Sequence, residues 1–139
     1  MRKTRRQWYA YKLIEEELRN YKQTVKDLEG LKLDIIFSSP EPCEVKVQTS
    51  NLYSPTESAA LEIVSSSTIS YLSRVVQAIE IEYECASEID KRLIELLYWQ
   101  GKSRVYVIDT LFQGATSTFR RHKLGIIIKI GNRIGLKVS

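Results

Sequence analysis

Thr116-Ser117-Thr118, followed by the cationic pair Arg120-Arg121 and then Lys123, is the stretch of this chain best suited to binding chemistry. Guanidinium groups pair with phosphate oxygens and guanine edges in a bidentate fork, and hydroxyls exchange hydrogen bonds with either. A second group, Lys102-Ser103-Arg104, precedes it. A serine opening a helix there would hold free backbone N–H groups and two cations toward a phosphate. Catalytic chemistry is harder to build. His122 is the single histidine, so no multi-histidine metal site exists, and a Ser-His-Asp triad would depend on a ring in the most basic stretch. A half-buried or phosphate-facing ring is the expected role for His122. Gly101-Lys102-Ser103 ends like a phosphate-binding P-loop, but the first glycine of that motif falls on Leu96, inside an apolar helical run. No GxGxxG occurs. The expectation is a protein that is no enzyme and uses neither cofactor nor metal.

The charge distribution narrows the binding chemistry. Residues 1–12 carry a net +5, residues 13–91 a net −8 and residues 92–139 a net +7, within an overall +4. A basic C-terminal third suits nucleic acid, because phosphate contacts supply most sequence-independent affinity, while an acidic middle suits contacts away from the duplex. A solvated basic surface is the plainer alternative. With 139 residues, 43% apolar and 27% charged, one buried core is affordable without disulfides. No 18-residue run lacks charge and no secretory h-region follows the basic N-terminus, so neither membrane insertion nor secretion is expected. Cys43 and Cys85 form no CxxC and fit a reduced cytoplasm.

Helices must position these groups. Tyr11, Ile14, Leu18, Tyr21, Val25 and Leu28 repeat at spacings of 3 and 4, predicting a heptad helix over 7–29 that stops at Gly30. This seam either pairs with a second copy or packs on its own chain. All three prolines lie in 37–56, which reads as a linker with a short strand at Glu44–Gln48. Ser54-Pro55-Thr56-Glu57 carries a capping-box pattern opening a middle helix over 57–86, weakened at Ser65-Ser66-Ser67-Thr68. A short helix over 90–100 follows, then a turn, a helix Arg104–Leu111 capped by Ser103, and a turn in which Gly114 takes positive φ. A last helix runs from Thr116 to about residue 130, with Phe119, Ile126 and Ile130 inward; a hairpin about Gly131-Asn132 competes with its end. Tyr98, Trp99 and Tyr106 read as core and seam residues. Two short helices joined by a glycine turn, the second opening with hydroxyls and a basic pair, describe a helix-turn-helix.

Several stretches together resemble the RinA/ArpU family of phage transcriptional regulators. They are Leu13-Ile14-Glu15-Glu16-Glu17-Leu18-Arg19-Asn20-Tyr21 with Lys26-Asp27-Leu28-Glu29, then Ser54-Pro55-Thr56-Glu57. The third is Asp90-Lys91-Arg92-Leu93-Ile94-Glu95-Leu96-Leu97-Tyr98-Trp99, followed by Ser103–Lys123. This last block also resembles region 4 of sigma factors. The resemblance implies an activator of phage late genes that binds promoter DNA with host RNA polymerase, in the cytoplasm of a bacterial host. It departs at Gly114, where relatives usually have a serine cap, and this leaves open which of Thr116, Ser117 and Thr118 reaches bases.

The resulting expectation is an all-α protein in four parts. Residues 1–36 form a basic arm and oligomerisation helix, 37–56 a linker, 57–86 the middle helix and 87–139 a DNA-binding domain. Lys102, Ser103, Arg104, Thr116, Ser117, Thr118, Arg120, Arg121 and Lys123 are the candidate DNA contacts. Tyr11, Ile14, Leu18, Tyr21, Val25 and Leu28 are the candidate oligomer seam. Expected partners are double-stranded DNA, host RNA polymerase and a second copy of the chain. The rivals are a small-terminase-type packaging subunit and a coiled-coil adaptor that binds no DNA.

Overall fold

The computed structural model describes residues 2–38 and 55–138. The predicted strand at Glu44–Gln48 and the Ser54 cap lie outside the described residues, as does most of the linker. The chain is all-α. Its elements are α1 (Arg5–Arg19), α2 (Tyr21–Ser38), α3 (Pro55–Cys85), α4 (Glu88–Leu93), a π-helical turn (Ile94–Trp99), α5 (Arg104–Phe112) and α6 (Thr116–Ile134). Among the described residues there is no strand, and the hairpin about Gly131-Asn132 gives way to continuous helix.

The helix start lies earlier than Gln7. Thr4 Oγ1 accepts from the Gln7 N–H at 3.3 Å, and Gln7 Oε1 accepts from the Thr4 N–H at 2.8 Å, a reciprocal capping box. Arg5 and Arg6 therefore belong to the first turn of α1 rather than to an arm before it. The predicted heptad helix is also not continuous. Asn20, at φ −88° and ψ 3°, donates its backbone N–H to the Glu16 and Leu18 carbonyls and separates α1 from α2. Past this break the inward line of α2 runs through Tyr21, Thr24, Leu28 and Leu31, leaving Val25 half-buried. Gly30 does not end α2, because packing against α3 carries the helix on to Ser38.

The seam is consumed within one chain. Ile14 and Leu18 have no exposed surface, since α1 lies across α6 and the π-helical turn. They cannot be presented to a second copy, so the expected oligomer seam is corrected to an intramolecular packing line. The heptad spacing arose because the two helices have a single apolar face, whichever partner covers it. Val75 and Ile79 of α3, Leu93 and Ile94, Val107 of α5, and Phe119, Ile127 and Ile130 of α6 complete the same core. Each such side chain contributes roughly 1.5–3 kcal/mol on leaving water. At the end of α6, Gly135 adopts φ 96° and donates to the Gly131 carbonyl, after which Val138 folds back into the core.

Candidate nucleic-acid interface

Ser103, extended at φ −65° and ψ 152°, caps α5 by accepting the Tyr106 N–H at 3.2 Å on its Oγ. Lys102, Ser103 and Arg104 are all exposed around this helix start. The Lys102 ammonium lies 5.5 Å over the Tyr106 ring, and the Arg104 guanidinium 5.8 Å over Phe119. These contacts align the two cations along α5's N-terminus while their polar atoms remain wet.

Val107, fully buried, and Phe112 anchor α5 below this surface, where Phe112 meets Phe119 edge-on at 5.9 Å. The connection to α6 is tight. Gln113 and Gly114 both take left-handed conformations, at φ 51° and 84°, and the Gly114 N–H reaches back to the Ile108 carbonyl. Gly114 meets this demand at no steric cost.

The start of α6 is bare. Its N-cap is Ala115, which offers no side-chain hydrogen bond, so the first-turn amides of Thr116, Ser117 and Thr118 keep their N–H groups for an outside acceptor. Thr116 and Ser117 are exposed, Thr118 is half-buried, and Arg120 and Arg121 are exposed on the following turn. Phe119 is fully buried between them. The structure thus brings Thr116, Ser117, Arg120 and Arg121 to one outward surface beside the α5 start.

Lys123 does not join them. Its ammonium pairs with Glu15 at 2.7 Å, with both side chains nearly covered, and lies over the Tyr11 and Phe119 rings. It ties α6 to α1, so its candidacy as a DNA contact is corrected. Tyr106 is corrected in the opposite sense. It is 47% exposed, next to the still more exposed Val105, because α5 turns only its Val107 line inward. Tyr98 and Trp99 do belong to the interior. Trp99 is held between Tyr21, at 5.3 Å, and Tyr83, at 5.0 Å, while its buried Nε1 has no hydrogen-bond partner among the described residues. Tyr21 donates to Glu80 and Tyr83 to Glu95. His122 bonds Asp90 through Nδ1 at 2.7 Å and leans on Phe112, which makes it a clasp between α6 and α4.

A cluster not anticipated from the sequence flanks this surface. Lys3 lies 4.3 Å over the Tyr11 ring, whose other neighbours include Glu15, Lys123 and Arg104. Burial lowers the Lys3 ammonium from its ordinary value; Glu15 opposes this and Lys123 adds to it. Burial likewise raises the Tyr11 hydroxyl. The start of α1 is thereby set beside α5 and α6. The Lys123–Glu15 separation of over a hundred residues left no periodic signal for it.

No protein-family model, curated protein or solved structure matches this chain. Among the described residues, no group of three or more His, Cys, Asp or Glu side chains is placed to hold a metal ion, and no helix is long and apolar enough to cross a membrane.

Proposed function

We propose that this chain binds double-stranded DNA through α5, its glycine turn and α6, as a helix-turn-helix. On this reading it activates phage late-gene transcription together with host RNA polymerase, in the cytoplasm of the bacterial host. The observation that carries the proposal is the bare N-terminus of α6, with open amides and the exposed Arg120 and Arg121, next to the Ser103-capped start of α5 with Lys102 and Arg104. A recognition helix enters the major groove N-terminus first, and the preceding helix holds the phosphate backbone. The resemblance to RinA/ArpU regulators and to sigma region 4 supports the activator reading, and the net +7 over residues 92–139 supports the nucleic-acid reading.

Fluorescence anisotropy on duplex DNA across a salt series tests the binding. Log K should fall linearly with log salt, with a slope of roughly −0.9 for each phosphate neutralised. Footprinting on the encoding phage's DNA then separates promoter binding from packaging-site binding. A chain that binds no duplex in a salt-dependent manner is not a helix-turn-helix reader.

A further inference from the structure

Two outward helix faces carry complementary patterns. On α1, Arg5, Trp8, Tyr9 and Lys12 stand at i, i+3, i+4 and i+7, and all are exposed. They line a shallow cavity of about 330 Å³. Trp8 is 51% exposed and Tyr9 73%. Tyr11 stacks on the Trp8 ring at 5.6 Å and the Lys12 ammonium lies 5.4 Å over it. The indole is therefore engaged within its own helix, and the face presents ring edges and cations suited to side chains rather than to stacked bases.

On α3, Gln77, Glu80, Ile81 and Glu84 repeat the same spacing, again all exposed. Laid antiparallel, the two faces match residue by residue. Arg5 meets Glu84, Trp8 meets Ile81, Tyr9 meets Glu80 and Lys12 meets Gln77. One turn further the signs reverse on both helices together, so that exposed Glu16 meets exposed Arg74. Pairing the α1 face with itself would instead set cation against cation, antiparallel or parallel.

We propose that α1 of one copy docks antiparallel on α3 of a second copy through these faces. Trp, Tyr and Arg are the residues that most often dominate interface energies, and the charge pattern fixes register. The contact is heterologous, so each assembly retains a free α1 face and a free α3 face and grows beyond a dimer unless it closes into a ring.

Sedimentation velocity of the full chain across the micromolar range tests this, with far-UV circular dichroism confirming helical content in each variant. The wild-type chain should gain mass with concentration and lose it as salt rises. Arg5→Glu with Lys12→Glu, and separately Gln77→Lys with Glu84→Lys, should each weaken self-association about tenfold, as expected when favourable cross-interface charges are inverted. Mixing the two variants should restore association, because each supplies the face that the other has inverted. A monomeric wild-type chain throughout, or variants that associate as the wild type does, overturns the proposal. So does a mixture that stays dissociated. Loss of duplex binding in Arg5→Glu/Lys12→Glu with unchanged self-association assigns the α1 face to nucleic acid and overturns it equally.

Discussion

Two glycines of α6 provide a matched pair of perturbations on the packing that places α1 beside the candidate interface. A Cβ at Gly131 would lie 2.8 Å from Ile14 Cδ1, 2.8 Å from Val138 Cγ2 and 3.0 Å from the Leu136 carbonyl oxygen. A Cβ at Gly125 would meet nothing within 4 Å. Both residues are helical, so alanine at either gains up to about 1 kcal/mol of intrinsic propensity. At Gly125 that gain should appear nearly whole. At Gly131 three neighbours must retreat: Ile14 and Val138 are fully packed core side chains, and the third is backbone held by the Leu136 N–H bond to the Gly131 carbonyl. Overpacking of this kind costs roughly 1–3 kcal/mol. The net expectation is about +1 kcal/mol for Gly125→Ala and about −1 kcal/mol for Gly131→Ala. Urea unfolding followed at 222 nm reads the gap of about 2 kcal/mol as midpoints about 1 M apart, for a slope of about 2 kcal/mol per M. A Gly131→Ala protein as stable as Gly125→Ala would show that α6 does not press on α1 at this point, and the positioning of the α1 N-terminus would lose its basis.

Arg120→Ala or Arg121→Ala should weaken specific DNA binding by about 1–3 kcal/mol where the side chain reads a base, or flatten the salt slope by about one unit where it holds phosphate; anisotropy on cognate and random duplexes distinguishes the two. Lys123→Ala should leave DNA affinity almost unchanged but cost about 1–3 kcal/mol in chemical denaturation, because Glu15 is left nearly buried and unpaired. Leu18→Asp places a carboxylate in a fully buried site and should cost on the order of 4 kcal/mol or more, abolishing the cooperative melt rather than merely lowering the mass in solution. Tyr21, through burial and its bond to Glu80, and Tyr83, through its bond to Glu95, are pushed up to about 12. A raised folded value favours the neutral hydroxyl, so stability is complete below about pH 10 and falls as pH rises toward 12. Tyr83→Phe should remove part of that alkaline loss in pH-dependent unfolding.

Local signals in the C-terminal third were readable because each is set by neighbours in sequence. The Ser103 cap, the left-handed Gly114 and the Phe119–Ile126–Ile130 stripe all depend on spacing within one or two turns. The continuation of α6 through Gly131 to Ile134 was less legible, because a β-branched, glycine-punctuated run supports either helix or hairpin until Ile14 packs against that glycine. The heptad line of α1 and α2 was visible, but not what covers it. An apolar stripe looks the same whether α6 or a second copy lies against it, and the break at Asn20 depends on α2 turning to meet α3. Charge was the least informative about placement. Lys123 sits in the basic run with Arg120 and Arg121, yet its helical phase points it at Glu15, more than a hundred residues away.

The wide turn at Ile94–Trp99 has a consequence for the chain's tolerance of length change. Its backbone bonds skip one residue more than an α-helix does, as in the Gln100 N–H to the Glu95 carbonyl at 2.8 Å, and the Lys102 N–H reaches further still to the Leu96 carbonyl. The segment thus holds the equivalent of one surplus residue, wound in without displacing either flank. A single-residue deletion here is the length change the backbone can accept, since it returns the segment to ordinary helix. It would also rotate everything downstream by about 100° relative to its present phase. Trp99 would leave the gap between Tyr21 and Tyr83, and the Ser103 helix start would swing away from α6. The surplus residue thereby acts as a phase spacer, setting the rotational offset between the acidic helices and the basic pair that follows.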